Sequence, residues 1–163
     1  MTGFSSAYIQ APIKRKDLDL SELLDLCAQP ESLEDRVAAV QRYAKAYPEL
    51  KYFLIVAYFC RDAFSELLSA GPLDWQPTNV PKGGSSETLN SMWTQVTRMY
   101  NGFPSGDRIK RGLAHQLLPR LHKDDATIIG QLIHGKYYRK ELNEKVVQLA
   151  FPKETPQDPK SES

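Results

Sequence analysis

The stretch His122 to Tyr138, "HKDDATIIGQLIHGKYY", gathers two histidines, two adjacent aspartates and a run of lysine and tyrosine donors. Imidazole and carboxylate groups are common zinc ligands, and a histidine near an aspartate is a common start for acid–base chemistry. The spacing argues against both. Ligands on one helix share a face when three or four residues separate them, whereas His122 and His134 stand roughly 18 Å apart along a straight helix. Asp124 and Asp125 point about 100° apart on a helix and cannot share a proton. They read better as first-turn residues that offset the positive end of a helix dipole. His115 reads as a surface or half-buried side chain.

The rest of the chain offers no stronger chemistry. No Ser, Cys or Thr stands in a nucleophile motif, and "KGGSS" is a turn, since a phosphate-binding loop requires GxxxxGK[ST]. Cys27 and Cys60 lack CxxC spacing and read as two buried thiols. The expectation is a protein with no catalytic residue, metal or cofactor.

A different signal comes from charge. Residues 1–97 carry nine Lys and Arg against twelve Asp and Glu, whereas residues 98–145 carry ten against five. The basic set is Arg98, Arg108, Lys110, Arg111, Arg120, Lys123, Lys136, Arg139, Lys140 and Lys145, interleaved with Tyr100, Tyr137 and Tyr138. Such cations can neutralise phosphates, and tyrosines can stack on bases, so nucleic acid is one candidate partner. A solvated helical surface explains the same residues without any partner. Ile109 and Leu113 are expected to face the core, which would leave Arg108 and Arg111 together on the exposed face at the start of their helix.

Helices are what must position these residues. Asp19 can cap "LSELLDLCAQ", and Ser32 the segment carrying Leu33, Val37, Val40 and Tyr43. Pro48 suits the first position of "PELKYFLIVAYFCRD", apolar almost all round, whose pattern extends toward Gly71. Prolines and a glycine pair break residues 72–85, where Trp75 can fasten the crossing to the core. Beyond it lie a helix with Leu89, Met92, Trp93, Val96 and Tyr100, and one with Ile109, Leu113, Leu117 and Leu121, which Pro119 should kink or end near Leu118. The last two are "KDDATIIGQLIHG", capped by Gly135, and "KELNEKVVQLAFP", stopped by Pro152. The expected core includes Leu54, Val56, Phe59, Trp93, Leu113, Leu117, Ile129 and Leu132.

The spacing therefore predicts an all-α protein, a single compact domain of about seven helices with disordered termini. The expected division is an N-terminal arm over 1–16, a helical domain over 17–152 and a disordered tail over 153–163. Within the domain an acidic half runs to about residue 71, the crossing spans 72–85, and a basic half spans 86–152. With 41% apolar residues and 25% charged ones the chain can bury a core. Its longest apolar run, "YFLIVAYFC", is about half of what a membrane-spanning helix needs. The N-terminus has no apolar segment of the signal-peptide kind, so a cytoplasmic location is expected.

The segments "TLNSMWTQVTRMY", "LAHQLLPRLHKDDATIIGQLIHGK" and "LNEKVVQLAFP" resemble a family of small helical proteins of unknown function from tailed phages. The shared features are a leucine-rich helix, an "LHxxDA" junction, a Lys-containing turn and a last helix ending in "AFP". The arrangement is also similar to part of the helical N-terminal region of phage-type ATP-dependent DNA ligases, which embraces duplex DNA. In that pattern His122 to Tyr138 is a helix junction. The chain departs from the ligases in having no KxDG adenylation motif, and Pro119 interrupts the leucine-rich helix beside Arg120. The resemblance thus implies a non-enzymatic phage protein in the host cytoplasm. It would bind nucleic acid as an accessory factor in replication, repair or transcription. The alternative is a helical adaptor or inhibitor that docks on a host or phage protein.

Overall fold

Four of the seven α-helices among the described residues begin where a short side chain closes the first turn. Asp19 accepts the Glu22 amide at 2.8 Å while the Glu22 carboxylate accepts the Asp19 amide at 3.0 Å, a reciprocal box that opens α1, Leu20–Ala28. Ser32 accepts the Asp35 amide at 3.1 Å at the head of α2, Leu33–Ala46. α3, Pro48–Phe59, starts on the proline, whose missing amide hydrogen costs nothing in a first turn. Thr88 and Ser91 close the start of α4, Leu89–Tyr100. Then follow α5, Asp107–Leu117, and α6, Lys123–Ile133, capped by His122. Asn143 caps α7, Glu144–Ala150.

This computed structural model describes residues 18–76, 80–81, 87–101 and 106–156. The expected arm over 1–16, parts of the 72–85 crossing, the turn around Pro104 and the tail from residue 157 lie outside the described residues. Among the described residues there are seven α-helices, two short 3-10 turns and no strand, so the protein is all-α. None of the helices among the described residues is long and apolar enough to cross a membrane.

Two compact units share the chain. Unit 1 combines the described residues up to Phe59 with those from Tyr138 onward, so the chain leaves it and returns. Here α2 packs on α1, α3 and α7, and α7 also touches α3. Leu23, Leu24, Leu50, Phe53, Leu54 and Val147 are among its buried side chains. Unit 2 is Cys60–Tyr137. In it α4 packs on α5, and a 3-10 turn over Leu118–Arg120 touches both α5 and α6. Phe64 meets Tyr100 edge-on at 5.4 Å between ring centres.

Pro119 ends α5 at Leu117 as its lost hydrogen bond requires, leaving the 3-10 turn in place of a longer helix. Gly135 takes a φ of +69°, and the Lys136 amide reaches back to the Gln131 carbonyl at 2.8 Å to close α6. Several boundaries move. Residues 61–70 form successive turns and do not continue α3. The expected last helix splits into a 3-10 turn over Lys140–Leu142 and α7, because Asn143 breaks off to cap the latter. Lys153–Pro156, assigned from sequence to the tail, folds back as a turn in which buried Thr155 donates to the Phe151 carbonyl at 2.7 Å.

Of the expected core, Leu54, Val56, Trp93, Leu117, Ile129 and Leu132 are buried, while Phe59 and Leu113 are half-buried. Cys27 is buried as expected but Cys60 only half-buried, and both are free thiols. The crossing is fastened to unit 2, since Trp75 lies against Gly130 so closely that a Cβ there would overlap the indole. The Val80 carbonyl accepts the Lys123 amide at 3.0 Å.

That contact sets a test. Gly130→Ala should lower stability by about 1–3 kcal/mol through overpacking, even though alanine is the better helix former. In a Trp75→Ala background the same change should become neutral or stabilising. Denaturant melts of the four proteins measure this coupling.

Candidate binding groove

The opening histidines are spent on backbone groups. His122 is 1% exposed, and its Nδ1 accepts the Asp124 amide at 3.2 Å, closing the start of α6. Its ring proton then sits on Nε2, which faces the Asp125 carboxylate at 3.4 Å. Asp125 is 3% exposed, so neither member of the pair meets a solvent-borne substrate. His134 accepts the Leu73 amide on Nε2 at 3.1 Å, which leaves Nδ1 to donate to the Gly130 carbonyl at 2.8 Å. One imidazole starts α6, and the other ends it while holding the crossing. Burial pushes the Cys27 thiol far above the ordinary thiol range, outweighing the lowering by the Arg139 charge, and so disfavours the thiolate form.

The basic set divides into members that hold acceptors of their own and members that do not, and it also divides between the units. Lys110 is 2% exposed, and its ammonium donates to the Glu66 carboxylate at 2.6 Å. Arg111 donates to the carbonyls of Leu67, Gly71 and Pro72, tying off the turns that precede them. Arg120 folds back onto Glu87 at 3.2 Å, the Gln95 side chain at 2.9 Å and the Gln116 carbonyl at 3.0 Å. Arg139 pairs with Asp25 at 2.8 Å and Glu141 at 3.5 Å. The side chains of Arg98, Arg108, Lys123, Lys136, Lys140 and Lys145 are exposed, with no partner among the described residues. Of these, Lys140 and Lys145 belong to unit 1 and the others to unit 2.

The expected shared face of Arg108 and Arg111 does not form. α5 is turned so that Lys110, Ala114 and Leu117 face inward and Ile109 stands 53% exposed. Arg108 remains exposed, but Arg111 reaches away to its three carbonyls.

A gathering of cations appears instead in unit 1. Ala38, Gln41, Arg42 and Lys45 recur at helical spacing on one side of α2, and Pro48 and Lys51 follow on the first turns of α3. Ala150, Phe151 and Glu154, at and beyond the end of α7, form the opposing wall of an open groove of about 790 Å³. Gln41 donates to the Ala150 carbonyl at 3.1 Å and so joins α2 to the end of α7. Lys51 pairs with Glu154 at 3.2 Å, and its ammonium also lies 5.1 Å from the ring centre of half-exposed Tyr52. Arg42 and Lys45 have no hydrogen-bond or ion-pair partner among the described residues.

Sequence reasoning passed over this groove because its α2 side looks like any solvated helix face. Its other wall comes from residues more than a hundred positions away. The one legible sign was that small residues and cations alternate along that side of α2.

The Glu66–Lys110 contact has a pH signature. The Glu66 carboxyl is held below its ordinary range, first by the hydrogen bond from Lys110 and then by the Gly106 amide at 3.0 Å. A depressed folded-state value stabilises the protein above the unfolded carboxylate range, near about 4.3. That contribution is lost as pH falls through the lower folded value. The stability difference between the native protein and Glu66→Gln, measured by denaturant melts, should therefore hold steady near neutral pH and shrink in acid.

Comparison of the chain with protein-family models, curated proteins and solved structures gives no match.

Proposed function

We propose that this protein is a non-enzymatic helical adaptor that docks on another protein through the groove formed by α2, α3 and the end of α7. The observation that carries this reading is that Arg42 and Lys45, with no partner among the described residues, stand beside Lys51 on one open groove of a single unit. Four of the ten cations on which a nucleic-acid surface was expected to rest already hold acceptors of their own. Lys110, Arg111, Arg120 and Arg139 each satisfy acceptors of their own unit. A cation held in this way would have to give up those acceptors before taking a phosphate, which removes much of the gain. The setting that goes with the adaptor role is the cytoplasm of a phage-infected host, and its support is the resemblance in residues 86–152.

A second reading keeps nucleic acid as the partner, through Arg98, Arg108, Lys123 and Lys136 of unit 2. It is favoured by one observation, that these four side chains are exposed and unpaired among the described residues.

Two measurements separate the readings. Mobility shifts with duplex DNA, single-stranded DNA and RNA at low salt should show no binding. An adaptor should retain a protein from infected cells that the Arg42→Glu, Lys45→Glu double variant fails to retain. Salt-sensitive binding of a nucleic acid, weakened by Arg108→Glu but not by the groove variant, would replace the adaptor with the nucleic-acid reading.

A further inference from the structure

The groove indicates what kind of segment it accepts. Three cations meet one carboxylate there, and that carboxylate belongs to the chain itself, on the turn after α7. This turn is held by the Thr155 hydroxyl on the Phe151 carbonyl at 2.7 Å and the Gln148 amide on the Pro156 carbonyl at 2.9 Å. Glu154 thus reaches Lys51 from a fixed turn, while Arg42 and Lys45 meet no carboxylate among the described residues. The Lys51–Glu154 pair is part-exposed on both sides, so solvent screens it and little is lost when another carboxylate takes its place.

Two further features distinguish the acidic ligands that would fit. Between the cations the lining is Ala38, Ala44, Pro48 and Ala150, small side chains that let a backbone approach closely, while the one aromatic ring of the lining, Phe151, is 7% exposed and offers a nucleobase little face to stack on. At the wall lies the C-terminal end of α7, where helix carbonyls accumulate partial negative charge. That end repels a continuous run of phosphates. Spaced carboxylates can avoid it, and the amide hydrogens of a peptide backbone are attracted to it.

We infer that the groove binds an acidic peptide segment of the partner protein. Two of its carboxylates lie on Arg42 and Lys45, and a third displaces Glu154 from Lys51. Glu154 is then an internal competitor, covering Lys51 until a ligand carboxylate replaces it. The inference rests on the adaptor reading and names the chemistry of the partner. It adds a consequence which a plain electrostatic attraction lacks: removal of one negative charge from the groove should matter more at Glu154 than at other exposed acids of unit 1, such as Glu34.

The test is fluorescence anisotropy on the full chain, with a labelled, end-blocked peptide of repeated Asp-Glu-Leu as probe. The isosteric Asn-Gln-Leu repeat serves as control. The acidic peptide should bind and the neutral one should not. Arg42→Glu with Lys45→Glu should weaken binding by at least about tenfold, and Glu154→Gln should strengthen it by about threefold, more than Glu34→Gln does. Unchanged melting curves for these surface variants would show that the fold is intact. If the double variant perturbs folding, the Glu154→Gln gain still decides, because loss of structure does not raise affinity.

Equal binding by the native protein and the double variant would overturn the site. A weaker Glu154→Gln protein would overturn the competitor role. If the peptide does not bind but the double variant still fails to retain the captured partner, the acidic-peptide inference falls and the adaptor reading stands. Displacement of the peptide by a single-stranded oligodeoxynucleotide at lower concentration would overturn the inference in favour of a nucleic-acid ligand.

Discussion

A helix of seven residues cannot persist alone in water, and much of unit 1 follows from what α7 requires. Its buried Val146, Val147 and Ala150 must be covered, and α2 and α3 are the elements against which it packs. Asn143 fixes its start, and at its far end Gln41 takes the Ala150 carbonyl. Upstream, the Arg139 guanidinium on Asp25 and the Arg139 amide on the Tyr58 hydroxyl hold the chain as it re-enters the unit. The groove is a by-product of this requirement. α7 ends at Ala150, and the turn that follows supplies the wall opposite the cationic side of α2.

The distribution of cations obeys a single constraint, that a buried positive charge needs acceptors close at hand. Lys110 is the sharpest case. Its ammonium is almost wholly enclosed and lies on a carboxylate that itself remains half in water. Arg111 meets the constraint with three carbonyls, which a single planar guanidinium can reach together and an ammonium could not hold in the same way. These residues organise unit 2. Since their charge is consumed in doing so, the net charge of a segment is a poor guide to its contact surface. The half of the chain that is acidic in sum carries the groove in which Arg42 and Lys45 have no partner among the described residues.

The helix starts were legible because caps are local. Asp19 with Glu22, Ser32 with Asp35, and Pro48 act within one turn of the positions they define, and Pro119 ends α5 through its own missing hydrogen. The all-α class follows from the same local chemistry. The facing of α5 was not legible from its leucines. Residues four apart drift by about 40° per step on a helix of 3.6 residues per turn, so Ile109 stands roughly 80° from Leu117, at the margin of the buried face, where it is left 53% exposed. A lysine in the sequence also signals solvent, and nothing local shows that Glu66 is waiting for Lys110. The groove was illegible for the same reason on a larger scale, since α2 and the turn after α7 meet only in the folded chain.

The two lysine–carboxylate contacts show how similar chemistry can serve opposite ends. Lys110 is enclosed, so removing its partner would strand a charge where water cannot reach, and the pair is fixed for as long as the unit is folded. Lys51 and Glu154 are both partly in water, and each would be well solvated if they separated. The fold gains little from that contact and loses little when it opens. A binding site needs charges of this second kind, because a ligand can recover only the free energy that the protein has not already spent. On that ground the exposed pair beside Arg42 and Lys45, and not the cations that hold unit 2 together, is where an anionic partner can exchange places with a group of the protein itself.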